Sequence, residues 1–491
     1  MDITISRDTA WADARCESRD RLYNLLDTVL SYPIPGAEFS EKFRTHVWDG
    51  RGRLHSRPRG GDVVRFPAGM VDRVATYLRD NGHRVEGALR PAPVDPVAGA
   101  WRWVGPTPYR HQAAAVARTV AALSEAVRDP LAPPGGILRM PIRSGKTLTA
   151  ARIAYESGLK TLFVVPSDYL LYQGLDAFRS FIDGAEVGVF AGGQKDTEPD
   201  IIIATVQSLT AAKDKRSYHK LSKQPRLLIV DEVHHKAGAT GTAWRDSILG
   251  MRPHFTLGLS ATFKLEDDPE EATNALWLRA VCGPIIHDIG MTDLIRKGFL
   301  AKPVVRWLPH GAPKLKRKSR SPSVLYSDGI VECAERNAVI LDTAADLARN
   351  GHRVLIDVAR VGHTRLLNAG LKERLGPAMV GMVTGSTKTA IRQALVRKFR
   401  AGTVRVLVGT VLGEGVDIPE LDVVINAVGG RGYIPVIQRM RCLTPAPGKA
   451  KGIVVELIDD HHRLLREATV DRYEVYLTET GIRHEFEGEL R

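Results

Sequence analysis

The sequence contains few cysteines and no long apolar segment. Its four cysteines lie far apart and form no CxxC pair, so we expect reduced thiols and no structural zinc site. No apolar run reaches the roughly 18 residues that cross a membrane, and charged residues occur throughout the first thirty positions. We therefore expect neither a membrane span nor a secretory signal, and we predict a cytoplasmic protein.

Positively charged residues are in excess. The 491 residues include 69 Lys and Arg against 56 Asp and Glu, which gives a net charge of +13. Residues 1–100 account for +1 of this charge and the remaining residues for +12. Two basic clusters, Arg51–Arg59 and Lys314–Arg320, lie in stretches predicted to be exposed loops. The excess suits a polyanionic partner such as nucleic acid, although a basic solvated surface would give the same composition.

The order of apolar runs predicts three blocks. Residues 1–100 are predicted to form a small N-terminal α+β domain that ends in the proline-rich linker Arg90–Ala100. Residues 101–290 and 291–491 each alternate continuous apolar runs with helical stretches, and the last block ends in a helix. Such runs are typical of buried parallel strands, so the fold class is α/β with a duplicated parallel-sheet domain. The predicted strands are Gly136–Met140, Thr161–Val165, Ile201–Thr205, Leu227–Val230, Thr256–Leu259, Val304–Leu308, Val354–Val358, Met379–Thr384, Val404–Val408, Val423–Ala427 and Ile453–Ile458.

One of these strands leads into a loop that is typical of phosphate binding. Ile137–Thr149 reads ILRMPIRSGKTLT, in which Gly145-Lys146-Thr147 opens a helix. Main-chain N–H groups at a helix N-terminus bind phosphate oxygens, Lys146 would reach the β- and γ-phosphates, and Thr147 would bind Mg²⁺. The alternative is an ordinary strand–helix turn with an exposed lysine. Arg143 stands where such loops often have glycine, so its side chain either points away from the phosphates or contacts them.

A second strand ends in adjacent carboxylates. Leu227–His235 reads LLIVDEVHH, which places Asp231 and Glu232 at the carboxyl end of a buried strand, where open α/β sheets bind ligands. Asp231 would bind Mg²⁺, and Glu232 would polarise the water that attacks the γ-phosphate. The alternative is an acidic pair that caps a helix. His234 and His235 have no evident third ligand in the sequence, so packing or relay is preferred to metal binding.

Together with further segments in a fixed order, these two motifs resemble the superfamily 2 helicases and translocases of the DExH type. The resemblance runs from Gln112 to Arg441, about two thirds of the sequence. It implies two tandem RecA-like domains, ATP and Mg²⁺ as cofactors, and hydrolysis coupled to movement along nucleic acid. The segments are YRHQ at 109–112, MPIRSGKT at 140–147, VPS at 165–167, IATVQ at 203–207, DEVH at 231–234, SAT at 260–262, VLIDVARVGH at 354–363, TGS at 384–386, GT at 409–410, GEGVDIP at 413–419 and QRMR at 438–441.

The resemblance assigns candidate roles to residues of these segments. Gln112 would contact adenine, and Arg441 would act as an arginine finger on the γ-phosphate beside the catalytic Lys146, Asp231 and Glu232. Candidate nucleotide-binding residues are Gln112, Arg143, Ser144, Gly145, Lys146, Thr147, Asp417 and Gln438, with Thr147 and Asp231 as Mg²⁺ ligands. Candidate nucleic-acid contacts in the motor domains are Pro166, Ser167, Thr205, Gln207, Gly385, Thr410 and Gly413.

The last motif fits the family least well. The family has a glycine–arginine pair with a second arginine three residues later, whereas this run reads QRMRCLTPAP. Either Arg441 is the expected arginine displaced by one position, or Arg441 replaces the glycine and Cys442 replaces the arginine. Pro445 stands near the place of the second arginine. Because of this run and of Arg143, the sequence does not predict the rate of ATP hydrolysis. Nucleotide binding is expected with either alignment of the last motif.

The N-terminal block resembles the small module of XPB/UvsW-like duplex-DNA translocases, which include phage repair helicases. The resemblance rests on KFRTHVWDGRGRL at 42–54 and FPAG at 66–69, with YSDGIVECAERN at 326–337 leading into the second motor domain. In this module Arg51 and Arg53 would contact backbone phosphates. Trp48 is interpreted as a core anchor in preference to a base-stacking platform.

The leading hypothesis is an ATP-driven DNA helicase or translocase that acts on duplex or branched DNA in repair or recombination. It would be a monomer, located with the nucleoid, or in the host cytoplasm if a phage encodes it. The alternatives are an RNA helicase on the same fold and an ATP-gated DNA-binding protein with weak turnover. Both catalytic carboxylates are present, which favours an enzyme.

Overall fold

The computed structural model describes most of the chain. The described residues are 1–34, 36–59, 61–89, 101–141, 143–213, 215–224, 226–233, 242–261, 269–315, 321–410, 418–431, 433–444, 449, 451–478 and 481–487. The chain divides into two compact units, Met1–Pro141 with Gly145–Ile289, and Ile142–Ser144 with Gly290–Arg491. Among the described residues, no helix is long and apolar enough to cross a membrane. The linker 90–100 and the basic run 316–320 lie outside the described residues.

The N-terminal block of the first unit is a small α+β domain. Its elements are β1 (Asp2–Arg7), β2 (Trp11–Arg15), α1 (Arg19–Leu30), β3 (Ser31–Pro33), α2 (Glu41–Arg44), β4 (Arg51–Arg53), β5 (Val63–Pro67), α3 (Val71–Asp80) and β6 (Arg84–Leu89). The four-stranded sheet has the order β5–β2–β1–β6, in which β1 and β6 are parallel and the other pairs antiparallel. Along β1, alternate residues are buried, so Ile3 and Ile5 pack into the core with α1 and α3. β3 and β4 form a separate antiparallel ribbon.

The rest of the first unit surrounds one large sheet. Its elements are β7 (Arg102–Trp103), α4 (Arg110–Arg128), β8 (Gly135–Arg139), α5 (Lys146–Ser157), β9 (Thr161–Val165), α6 (Asp168–Phe181), β10 (Ile182–Asp183), β11 (Val187–Ala191), β12 (Gln194–Lys195), β13 (Ile201–Thr205), α7 (Val206–Ala212), α8 (Arg216–Leu221), β14 (Leu227–Val230), α9 (Thr242–Leu249), β15 (Phe255–Ser260), α10 (Pro269–Cys282) and β16 (Ile285–Asp288). The strand order is β12–β11–β13–β9–β14–β15–β8–β16, and the pairs are parallel except β11 with β12. The central strands are buried along their whole length, which explains their continuous apolar sequences.

The second unit repeats this plan. Its elements are α11 (Met291–Arg296), β17 (Lys302–Pro309), α12 (Pro322–Tyr326), α13 (Ala334–Arg349), β18 (Val354–Asp357), α14 (Val361–Leu375), β19 (Val380–Val383), α15 (Thr389–Ala401), β20 (Val406–Gly409), β21 (Val423–Asn426), α16 (Tyr433–Gln438), β22 (Lys451–Ile458), α17 (Arg463–Leu477) and β23 (Arg483–Phe486). The sheet has the order β19–β20–β18–β21–β22–β17–β23, and its strand pairs are parallel.

Every predicted strand is present, with ends shifted by at most two residues. In the two motor domains, sequence reasoning missed β7, β10, β11, β12, β16 and β23. β16 reads IIHD and β23 reads RHEF, and each pairs with one neighbour at the edge of its sheet. Edge strands keep one side open to solvent and therefore tolerate polar residues, so they lack the apolar run that identified the central strands.

The N-terminal domain shares a core with the rest of the first unit. Leu276 and Ala280 on α10 pack among the buried residues of the N-terminal domain. Arg279 on the same helix forms an ion pair with Asp72 of α3 at 2.7 Å. Arg7 donates hydrogen bonds to main-chain oxygens at the end of α4. The N-terminal domain is therefore fixed to the first motor domain by packing as well as by the chain.

Candidate nucleotide site and nucleic-acid interface

The parallel strands of the first sheet end at one edge, and the segments after them carry the candidate residues. The phosphate loop follows β8, VPS spans the end of β9, Thr205 ends β13, and the acidic pair follows β14. β14 lies between β9 and β15, and β15 lies next to β8. This strand order brings the acidic pair and the phosphate loop to nearby positions, at the edge where α/β sheets bind ligands.

Gly145 leads the chain from the phosphate loop into α5. Its φ of +82° lies in the left-handed region, and α5 begins at the next residue, Lys146. The conformation favours glycine, and a Cβ at position 145 would also displace the side-chain amide of Gln112. Thr149 Oγ1 donates to Gly145 O at 3.1 Å and ties the first turn of the helix to the loop. The geometry is that of a loop whose helix start can receive a phosphate.

Arg143 has the backbone conformation for which glycine is usually selected. Its φ is +64°, in the left-handed region. An L-residue in this region costs roughly 1–2 kcal/mol. Ser144, the next residue, is buried. The chain thus keeps the left-handed turn of the loop although the residue differs.

Gln112 connects the start of α4 with the phosphate loop. Tyr109 N–H donates to Gln112 Oε1 at 2.8 Å, so the Gln112 side chain reaches back to the main chain at the start of the helix. The amide nitrogen lies against Gly145, and the side chain is buried. Tyr109 has 58% of its surface exposed, and its ring stacks with His111. The adenine contact of Gln112 stays a prediction, and the adjacent exposed ring of Tyr109 is a further candidate for it.

The acidic pair and Lys146 form a compact charged group. Lys146 Nζ lies 3.0 Å from Glu232 Oε1, and Glu232 N–H donates to Asp231 Oδ1 at 3.0 Å. Burial and the nearby charge of Glu232 raise the pKa of Asp231 to about 7, although Lys146 acts in the opposite direction. Lys146 therefore pairs with Glu232, and the buried carboxyl of Asp231 lies next to this pair. Oxygen ligands and excess buried negative charge fit Mg²⁺, with Asp231 and the half-buried Thr147 as its candidate ligands.

A side-chain hydrogen bond joins the first turn of α7, which follows β13, to the loop after β9. Gln207 Nε2 donates to Pro166 O at 2.8 Å. Ser167 caps α6 and Thr205 caps α7, each by accepting a main-chain N–H of its helix. The Thr205 side chain is buried, whereas Ser167 is half-buried and Gln207 is exposed. The buried Thr205 therefore fixes the start of α7, and the side chains of Ser167 and Gln207 lie at the surface, where a nucleic acid could contact them.

In the second unit, Gly385 and Thr410 follow neighbouring strands. Gly385 comes after β19 in an exposed turn, in which Thr384 N–H donates to Thr387 Oγ1 at 2.9 Å. A Cβ on Gly385 would meet no described atom within 4 Å. Thr410 N–H, after β20, donates to Val383 O at 3.2 Å. The open main chain around Gly385 is compatible with the predicted approach of a phosphate.

Several candidate residues cannot be placed. The following lie outside the described residues: His234, His235, Thr262, Gly413, Asp417 and Pro445, and the side chain of Gln438.

The altered last motif forms a buried turn in the second unit. Arg439–Leu443 is a short 3₁₀ helix after α16, and both of its arginines are buried. The Arg441 guanidinium pairs with Asp357 at the carboxyl end of β18. Burial raises the pKa of the Cys442 thiol to about 11, so this side chain is neutral. A neutral, buried Cys442 cannot supply the charge of an arginine, and Arg441 stays the candidate finger.

The two arginines predicted to contact DNA in the N-terminal domain have different surroundings. Arg53 pairs with Asp49 and, at 2.7 Å, with Asp27, and these two carboxylates raise the pKa of Arg53. Arg51 is exposed, and its Nε donates to Ser31 Oγ at 2.9 Å. Arg53 therefore stabilises the β3–β4 ribbon through its ion pairs, whereas the guanidinium of Arg51 lies at the surface.

Sequence reasoning missed Asp357 and a buried network around Glu456. Asp357 ends the strand VLID, so it carries the same signal that identified Asp231, a carboxylate at a strand end. Glu456 accepts hydrogen bonds from Arg472 Nε at 2.8 Å and from the Tyr476 hydroxyl at 2.9 Å, and all three side chains are fully buried. No local pattern predicts this network, because its members come from different elements and meet only in the folded domain.

Two protein families match the chain. The family described as "Type III restriction enzyme, res subunit" matches residues 106–265. The family described as "Helicase conserved C-terminal domain" matches residues 335–441. Together they cover more than half of the chain and include the phosphate loop, the acidic pair and the last motif.

Individual relatives extend this match. The chain is 27% identical over 308 residues to "DNA 3'-5' helicase XPB" of Mycobacterium tuberculosis, across 60% of this chain and 52% of the relative. It is 22% identical over 490 residues to "ATP-dependent DNA helicase uvsW" of Enterobacteria phage T4, across 91% of this chain and 89% of the relative. The chain spans only 47% to 62% of the length of the first three curated relatives that it matches.

The fold also occurs in solved structures. S. cerevisiae Dbp5 aligns with a TM-score of 0.54 and 15% identity, across 77% of this chain and 90% of that one. The likeness shows the fold, a pair of tandem RecA-like domains, as the sequence predicted. The ordered motifs, the fold and the two matching families show that the chain belongs to the superfamily 2 helicases.

Proposed function

We propose that this protein is an ATP-dependent DNA helicase or translocase that acts on duplex or branched DNA, of the kind used in repair or recombination. The observation that carries the proposal is the group formed by Lys146, Asp231 and Glu232 at the end of β14. Two relatives that are named DNA helicases support DNA as the substrate.

The residues of this group would have different roles in ATP hydrolysis. Lys146 would hold the β- and γ-phosphates, and Thr147 and Asp231 would bind Mg²⁺, which compensates charge on the phosphate oxygens. When Lys146 turns to the phosphates, its ion pair with Glu232 opens. Glu232 is then available to orient and polarise the attacking water. We assign to Arg441 the stabilisation of charge on the γ-phosphate.

Other residues would complete the nucleotide and nucleic-acid sites. For the nucleotide we retain the predicted residues Gln112, Arg143, Ser144, Gly145, Asp417 and Gln438. For nucleic acid we propose contacts by Arg51, Arg53, Ser167, Gln207 and Thr410, and by the main chain at Pro166, Thr205, Gly385 and Gly413. The exposed Arg51 is favoured over the paired Arg53. Contacts to phosphates give affinity without reading the base sequence.

The test is ATP hydrolysis measured without nucleic acid and with duplex DNA, forked DNA, single-stranded DNA and duplex RNA. We expect duplex or forked DNA to stimulate hydrolysis most. Glu232→Gln should lower turnover at least about a hundredfold, because it removes the general base. The matched control is Glu198→Gln, since Glu198 is an exposed glutamate of the same unit that pairs with Lys220. The proposal fails if DNA gives no stimulation and Glu232→Gln behaves as the wild type.

Two other outcomes would support the alternatives. Stronger stimulation by RNA than by DNA would favour an RNA helicase. Tight ATP-dependent binding to DNA without phosphate release would favour an ATP-gated DNA-binding protein, which the altered last motif makes a specific alternative. We also propose that the protein works as a monomer in the cytoplasm, and sedimentation analysis would test the first part.

A further inference from the structure

One segment of the N-terminal domain exposes several large apolar side chains. Between β3 and β4, Phe39 is 73% exposed, Val47 is 77% exposed and Phe43 is 37% exposed. Single exposed apolar residues are common on folded proteins, but a group of them on one short segment indicates a contact surface. We refer to the segment Ala37–Asp49 as the apolar tip.

The apolar tip has a defined shape. Ser40 caps α2 by accepting Phe43 N–H at 3.3 Å. The half-buried Trp48 anchors the segment, because its Nε1 donates to Arg51 O at 3.0 Å. His46 has a φ of +55°, a conformation that non-glycine residues rarely adopt and that persists where the surrounding structure holds it. The exposure of the apolar side chains is therefore not the result of a loose loop.

Positive charge surrounds the apolar tip. Residues 37–59 contain six Lys or Arg and three Asp or Glu. Lys42, Arg44 and Arg51 are exposed, and none of them forms an ion pair with a carboxylate in the described part of the chain. Asp49 is itself paired with Arg53. Apolar side chains among such cations fit a polyanion that also presents flat apolar faces, which is a nucleic acid with accessible bases.

Base faces are accessible only where stacking is interrupted. Within an intact duplex each base pair is covered by its neighbours, whereas a branch point leaves the last pair uncovered on one side. We propose that the apolar tip packs against this last base pair of a DNA branch, while Lys42, Arg44 and Arg51 bind the adjacent phosphates. This proposal rests on the proposed DNA helicase function, and it names the part of the protein at which the two DNA strands separate.

The chemistry of the tip suits strand separation. Phe39 supplies a ring that can stack on a base, and Val47 supplies an apolar edge. Apolar side chains of this kind unstack base steps when they enter DNA. DNA drawn against the tip by the motor domains would lose its end pair, because contact with the protein replaces the stacking that held it.

The first experiment measures strand separation and ATP hydrolysis together on forked DNA. The double variant Phe39→Ala/Val47→Ala is compared with Val127→Ala/Val470→Ala, whose valines are 46% and 47% exposed. We expect the base pairs separated per ATP to fall about tenfold in the tip variant and to stay at the wild-type value in the control. An equal number of base pairs separated per ATP in the two variants would overturn the proposal. Melting curves check that both variants fold.

A second experiment detects the contact directly and needs no hydrolysis. 2-Aminopurine is placed either in the last base pair of the fork or inside the duplex, and its fluorescence reports stacking. We expect protein binding to change the fluorescence at the last pair only, Phe39→Ala/Val47→Ala to abolish the change, and Phe39→Trp to retain it. A signal that is the same in the wild type and the tip variant overturns the proposal. If this contact is present but DNA does not stimulate ATP hydrolysis, the proposed function fails and the tip contact stands.

Discussion

Backbone strain occurs at residues that we place in ATP hydrolysis. Four non-glycine residues in the described part of the chain have positive φ, and Arg143 and Glu232 are two of them. Each such conformation costs roughly 1–2 kcal/mol and persists only where surrounding contacts hold it. At Glu232 those contacts include the ion pair with Lys146 and the hydrogen bond to Asp231. The strain is thus offset by contacts that also position the carboxylate.

The first prediction concerns Gly145. Gly145→Ala should weaken ATP binding roughly tenfold, because a left-handed residue with a Cβ is strained and this Cβ would push Gln112 away. Titration with a fluorescent ATP analogue measures the effect. Gly298→Ala is the control, since Gly298 has a similar φ of +76° but no described atom within 4 Å of the added carbon. Equal ATP affinity in Gly145→Ala and the wild type would contradict the assignment of this loop.

The second prediction concerns the pH dependence of stability. His363 is fully buried, and burial together with the charge of Arg336 lowers its pKa from 6.5 to about 4. The unfolded chain binds this proton below pH 6.5 and the folded chain only near pH 4, so stability is full above pH 6.5 and is lost as the pH falls towards 4. Between about pH 7 and 5 the melting temperature should fall less in His363→Gln than in the wild type. In the control His219→Gln, which changes an exposed histidine, the melting temperature should fall with pH as in the wild type. The prediction is contradicted if the melting temperature of His363→Gln falls as steeply with pH as that of the wild type.

At the scale of elements, the turn Arg439–Leu443 is tied to β18 by one buried ion pair. The side chains of Arg441 and Asp357 are 5% and 14% exposed. Charges in such surroundings need a partner, because removing one side of a buried pair leaves the other desolvated at a cost of about 3–5 kcal/mol. Asp357 therefore positions the arginine that we assign to the γ-phosphate.

The third prediction separates these two residues. Arg441→Ala should lower ATP turnover at least about a thousandfold, the usual effect of losing an arginine finger. Asp357→Asn should reduce turnover less but also lower the melting temperature, because the buried guanidinium loses its ionic partner. The exposed Arg463→Ala serves as the control. Near-normal turnover in Arg441→Ala would mean that the finger is wrongly assigned.

The fourth prediction concerns α10, the helix shared by two domains of the first unit. Gly69, just before α3, lies so close to α10 that a Cβ there would overlap the main-chain oxygen of Arg279. Gly69→Ala should therefore lower the free energy of unfolding by about 1–3 kcal/mol, a typical cost of overpacking, as measured by urea denaturation. Gly193→Ala, where the added carbon meets no described atom within 4 Å, is the control. Equal stability in the two variants would disprove the close packing.

At the scale of the whole molecule, the net charge of +13 predicts salt-dependent binding to DNA. The logarithm of the affinity should fall linearly with the logarithm of the salt concentration, because bound phosphates release counterions. Arg51→Ala should reduce this slope by about 0.9 if Arg51 contacts one phosphate of B-DNA. Arg463→Ala is the control, since Arg463 is paired with Glu467. A slope unchanged by Arg51→Ala would remove this residue from the interface.

The sequence by itself determined the central strands, the phosphate loop and the acidic pair. Each of these has a local signal, such as a continuous apolar run, a glycine before the lysine of GKT, or carboxylates at a strand end. The position of Asp231 near the phosphate loop can be predicted in this way, because parallel strands of one sheet end at the same edge and residues at their ends lie close together.

Only the tertiary structure decided which charged side chains already form ion pairs within the protein. Arg51 and Arg53 are equivalent in sequence, yet Asp27 and Asp49 hold one of them and leave the other at the surface. The pairing of Arg441 with Asp357 joins residues 84 positions apart. Such contacts carry no local signal, because they depend on strand order and packing between distant elements, and packing also decides which apolar side chains stay exposed at the tip.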